Sequence, residues 1–197
     1  MGKAIDGFEL VVCGFEKGLE ERPGFAEDFE HDLGKIFGEG CSVNSEYRHI
    51  GKGASLEVLA FSIIVISSAM KLFLSGKKIE ENLEAWPRLF KRFTNFIERK
   101  KKSNEINAIH VSLPLALGHV MGNLVNSNKS METVELISKT SISLDPQSNL
   151  IGGQHESFID NPFRAYNLVL LTDSKKLHFI GIKSNLEYVY DKNISLY

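Results

Sequence analysis

The longest apolar run in the chain, Val58 to Leu74 (VLAFSIIVISSAMKLFL), stands directly before its most regular amphipathic stretch, Lys77 to Lys102. The two are separated by Ser75-Gly76 and read as a helical hairpin over residues 55–102. Ser55 suits the N-cap, Glu57 the positive end of the helix dipole, and Gly76 a left-handed C-terminal cap. At helical spacing Glu57, Ala60, Ile64, Ser67, Ser68, Lys71 and Ser75 share one stripe, and almost everything else is apolar. That pattern predicts a central helix buried on most of its circumference. The uncharged run ends at Lys71, short of the roughly 20 residues a bilayer requires, so a core helix is preferred to a membrane-associated one.

In the second segment Ile79, Leu83, Trp86, Phe90, Phe93 and Ile97 alternate steps of four and three, with Leu89 and Phe96 widening the seam. Acidic residues gather at its start and basic ones at its end, as the helix dipole favours. Pro87 is expected either to kink this helix near 83–86 or to occupy the first turn of a restarted one.

Around the hairpin the pattern shortens. Phe8–Phe15 and Ser42–Ile50 read as strands, with an acidic amphipathic helix from Pro23-Gly24 to Phe37 between them. Ile106–Leu113 reads as a strand, and Leu115–Val125 as a short helix preceded by Pro114. Glu132–Leu144 is mostly strand. Residues 166–172 and 177–183 form a hairpin, and 186–190 add a third strand. The Gly-, Asn- and Pro-containing stretch 145–162 is expected to be a mobile loop. The whole of 1–197 is thus expected to be one α+β domain: a mixed β-sheet, a central apolar helix, an adjoining amphipathic helix and a C-terminal β-meander.

Composition supports a core without staples: 197 residues include thirteen phenylalanines and only two cysteines. Cys13 and Cys41 have neither metal-type spacing nor a disulfide framework, and the first residues lack the layout of a signal peptide, which favours a cytoplasmic setting. The net charge of −2 argues for no class of partner, but its distribution is uneven. Glu16 to Glu39 is acidic, whereas Arg88, Lys91, Arg92, Arg99, Lys100, Lys101 and Lys102 make the end of the second helix basic. These charges either meet within the fold or face partners.

Candidate chemistry is sparse. Gly51, Lys52, Gly53 and Ser55 sit where a strand should meet a helix N-terminus and could hold a phosphate, although the spacing is not that of a P-loop. The six histidines are scattered, so no metal ligand set, catalytic set or cofactor is assigned. Cys41 with His119 or His155 has no local signature of a nucleophile and base. Gly118 and Gly122 suit close helix packing. The function expected is that of a non-catalytic cytoplasmic interaction module, an adaptor or partner-neutralising protein, binding a protein through its charged helix surfaces. Self-association and nucleic-acid contact stand beside that reading, the latter less favoured because the aromatics of the basic helix belong to its seam. A phosphate- or nucleotide-binding protein or enzyme using the Gly51–Ser55 turn is the alternative, and a membrane-associated protein using 58–74 the second.

Overall fold

The computed structural model describes residues 7–13, 23–38, 41–50, 56–65, 85–102, 106–128, 131, 133–144, 158–159 and 161–196. The elements are β1 (Gly7–Cys13), α1 (Phe25–Phe37), β2 (Cys41–Ile50), β3 (Leu56–Val65), α2 (Ala85–Lys102), β4 (Ala108–Val111), α3 (Leu113–Ser127), β5 (Val134–Ser143), β6 (Arg164–Thr172), β7 (Lys176–Lys183) and β8 (Tyr188–Ser195). They form an α+β fold with two four-stranded sheets, ordered β2-β3-β1-β4 and β5-β6-β7-β8.

Both sheets are antiparallel throughout, not mixed. The larger correction concerns the apolar run. Leu56–Val65 is the second strand of its sheet, paired with β2 on one side and β1 on the other. Its register sets Leu59 opposite Val12 and Phe61 opposite Leu10. A strand buried on both faces reads as a continuous apolar run, which periodicity alone does not tell from a buried helix. Leu59, Phe61 and Ile63 enter the main core, while Val58 and Ala60 enter a smaller one on the opposite face. Residues 66–84, the rest of the expected hairpin, lie outside the described residues.

The buried central helix is instead α3, LPLALGHVMGNLVNS. Nine of its residues, Leu115 to Gly122 and Leu124, are buried. Such all-round apolarity is the mark of a helix with packed neighbours on most sides. Pro114 falls in its first turn, where a missing N–H leaves no intrahelical bond unmade. Against α3 runs α2, which opens at Ala85 with Pro87 in its first turn and buries Phe90, Phe93, Phe96 and Ile97. On α1, Phe29 stacks on Phe61 of β3 at 4.7 Å and meets Phe96 of α2 edge-on at 4.8 Å. Gly38 closes α1 at φ 85°, a conformation that a side chain would strain.

The core continues from the first sheet through the helices to Tyr166, Leu168, Leu170, Ile180 and Ile182 of the second. The sheets are stitched at one corner. Val111 N–H of β4 donates to the Ser184 carbonyl at 2.8 Å, Tyr166 Oη donates to the Val111 carbonyl at 2.8 Å, and the Ser184 hydroxyl bonds His110 Nδ1 at 2.8 Å. The C-terminal strands form the expected meander, β6 alternating with Tyr166, Leu168, Leu170 and Thr172 inward. Of the stretch expected to be a mobile loop, 145–157 and 160 lie outside the described residues. Phe158 and Ile159 are buried against Val11 and Cys13 on the outer face of the first sheet.

Candidate binding site on helix α2

The seam of α2 fixes which of its polar residues face outward. With Phe90, Phe93, Phe96 and Ile97 inside, helical geometry turns Arg88, Lys91, Arg92, Asn95, Glu98, Arg99 and Lys102 to solvent, and all seven are exposed. Five cations therefore stand on one ridge with one carboxylate. At ~1.5 Å per residue the ridge from Arg88 to Lys102 is about 21 Å long. Among the described residues, no hydrogen bond or ion pair engages Lys91, Arg92, Arg99 or Lys102.

Two of the expected partner-binding lysines point elsewhere. Lys100 Nζ lies 3.4 Å from Asp32 Oδ2 of α1 and over the rings of Phe29 and Phe96, at 5.3 and 5.6 Å from their centroids. Here the acidic first helix and the basic second helix do meet. Lys101 is half-buried and donates to the Asn185 carbonyl at 3.4 Å. Burial lowers its pKa, and the nearby Glu98 opposes that shift.

The ridge is flanked by two grooves. On the α1 side an open groove of about 640 Å³ is lined by Lys35, Ile36, Arg92, Asn95, Glu98, Arg99 and Lys102. Four cations against one carboxylate in a concave surface concentrate positive potential there. On the α3 side a smaller groove of about 370 Å³ is lined by Phe90, Lys91, Thr94, Asn95, Gly122, Asn123 and Asn126. Behind its wall lies His119, mostly buried, with Nδ1 2.9 Å from Thr94 Oγ1 and Nε2 3.1 Å from Asn123 Nδ2. The amide nitrogen can only donate, so Nε2 accepts and Nδ1 carries the proton toward Thr94. Asn123 Nδ2 also donates to Tyr188 Oη at 3.0 Å. Burial pushes the His119 pKa down to about 4, with Glu98 opposing, so the ring is neutral at pH 7.

The other candidates receive no site. Gly51, Lys52, Gly53 and Ser55 lie outside the described residues, as does His155. Cys41 is in β2 at the margin of the main core, and no hydrogen bond joins it to His119. His110 is pushed down to about 4, first by burial and then by the charge of Lys101. It pairs with Ser184, which is 1% exposed, too enclosed to meet a substrate. Among the described residues no group of His, Cys, Asp and Glu could hold a metal ion, and no helix is long and apolar enough to cross a membrane.

Lys35, Thr94, Asn95, Asn123 and Asn126 are among the site residues that sequence reasoning passed over. A helical wheel drawn through the Phe90–Ile97 seam places Asn95 among the ridge cations and separates Lys100 and Lys101 from them. The α3 residues carried no such signal, since nothing in the sequence sets α3 beside α2. No protein-family model matches the chain, and neither a curated protein nor a solved structure shows significant similarity to it.

Proposed function

We propose that the protein is a non-catalytic interaction module that takes an acidic segment of a partner protein on the exposed ridge of α2. The observation that carries this reading is the sorting of cations by face: Lys100 and Lys101 are used internally, whereas Lys91, Arg92, Arg99 and Lys102 share one exposed strip. The chain as a whole carries a net charge of −2, so attraction of an acidic partner would be a local property of this strip. A protein fits better than single-stranded nucleic acid because Phe90, Phe93 and Phe96 are buried and offer no face for base stacking. Free thiols at Cys13 and Cys41 suit a cytoplasmic setting.

The test is binding of a fluorescent oligoglutamate peptide, followed by anisotropy over a range of salt. Arg92→Glu combined with Arg99→Glu should weaken binding on the order of tenfold or more, through lost attraction and added repulsion. The melting temperature should hardly move, because both side chains are exposed. Equal binding by the variant removes the ridge as the site. Tighter capture of a DNA duplex than of the peptide replaces the protein partner with a nucleic acid.

A further inference from the structure

The ridge and the α2–α3 groove share Lys91 and Asn95, so a chain lying on the ridge can pass into the groove without leaving the surface. The two differ in chemistry. The ridge offers charge, which attracts but does not fix register. The groove offers one ammonium, one hydroxyl and the side-chain amides of Asn95, Asn123 and Asn126.

A carboxamide carries both a donor and an acceptor, as a peptide unit does, and can therefore hold a main chain whatever its side chains. One of these amides is already oriented. Asn123 commits its nitrogen to His119 Nε2 and Tyr188 Oη, and its carbonyl oxygen has no partner among the described residues. That oxygen is the group left to accept. Thr94 is held against the same histidine from the other helix, so one buried ring sets the groove's two walls. Fixing these rotamers beforehand reduces the entropy lost on binding.

We propose that the acidic partner segment enters the α2–α3 groove in extended form, with its main chain held by Asn95, Asn123 and Asn126 and one of its N–H groups donated to Asn123 Oδ1. This rests on the ridge reading above and adds a recognition mode to it. Glutamate side chains at alternate positions of an extended chain point one way, toward Lys91 and the ridge, while the backbone groups between them face the amides. A segment of about seven residues in this form matches the length of the ridge.

The test compares two peptides of equal charge, a Glu-Gly repeat of about eight residues and the same repeat with N-methylglycine in place of glycine, which removes alternate N–H donors. The N-methylated peptide should bind several-fold more weakly, with the same dependence on salt. The difference should shrink in Asn123→Ala and in Asn95→Ala, the second an exposed residue whose truncation leaves the His119 contacts intact. Equal affinities for the two peptides, or a difference that persists undiminished in both variants, overturns the groove mode and leaves the ridge standing. Failure of the Glu-Gly peptide itself to bind overturns both.

Discussion

The ring of Phe90 occupies the place where Gly118 would carry a side chain: a Cβ there would overlap its Cζ and both Cε atoms. The crossing of α2 over α3 therefore depends on a glycine inside a helix, a position where alanine is ordinarily favoured by about 1 kcal/mol. Gly118→Ala should forfeit that advantage and destabilise the fold by about 1–3 kcal/mol, because a fully packed ring must move. Pairing it with Phe90→Leu should recover part of the loss. Chemical denaturation of the two single variants and the double variant measures the coupling, and strictly additive losses would show that the two residues do not meet.

Stability should fall on mild acidification, and two histidines set the window. His110 and His119 are each held near pKa 4, chiefly by burial, against an ordinary value of 6.5. Between these values the unfolded chain takes up protons that the folded one refuses, so the folded state is favoured fully above about pH 6.5 and progressively less toward pH 4. The fall from 6.5 to about 4 limits the contribution of each ring to at most about 3–4 kcal/mol. Denaturant titrations at neutral pH and near pH 5 should show the loss, and His119→Gln should flatten it. A wild-type protein equally stable at both would contradict the burial of these rings.

The corner between the sheets makes a separate demand. Tyr166 is 1% exposed and its hydroxyl supplies the Val111 carbonyl with a donor at 2.8 Å. Tyr166→Phe keeps the packed ring and leaves that carbonyl without this donor, which should cost about 1–3 kcal/mol. An unchanged denaturation midpoint would mean that the bond contributes nothing net.

Thiol chemistry reports on the outer face of the first sheet. Cys13 is 4% exposed beside Phe158 and Ile159, and burial pushes its pKa up to about 11, while Cys41 is only half-buried, with burial raising its pKa as well. At about pH 8 a disulfide reagent should titrate Cys41 alone, with Cys13 reacting at the rate of unfolding because only a thiolate attacks. Two thiols of equal rate would place Cys13 on an open surface.

How far the sequence announced all this depends on what each pattern encodes. Period-3.6 seams with a polar face were legible, which is why α1 and α2 were found, and short alternating runs with turn residues gave β6, β7 and β8. Val58–Val65 reads as helix because burial on both faces erases the period of two, and the apolar run continues to Leu74, a length that suits a helix. The central position of α3 is hidden for a related reason: its apolar residues surround the helix and mark no single face, and only the tertiary arrangement shows that Gly118, His119 and Gly122 meet neighbours. The basic cluster was legible in composition and was assigned by position along the helix, whereas function of this kind is assigned by face. Lys100 and Lys101 follow Arg99 in sequence and differ from it in what they touch.

That difference can be measured. Lys100→Glu would set a carboxylate near Asp32 and remove the cation from over Phe29 and Phe96, whereas Arg99→Glu changes a side chain that no described residue engages. Lys100 is partly screened by solvent, so the pair itself is worth only about 0.2–1 kcal/mol, with the ring contacts adding a similar amount. Lys100→Glu should thus lower the melting temperature by a few degrees and weaken oligoglutamate binding only modestly. Arg99→Glu should do the reverse. The melting curve and the peptide titration of each variant give four numbers, and sorting of the cations by face requires them to cross. If both variants lose affinity equally and neither loses stability, the cations of α2 act as an undivided cluster, and sorting them by helix face has no functional meaning.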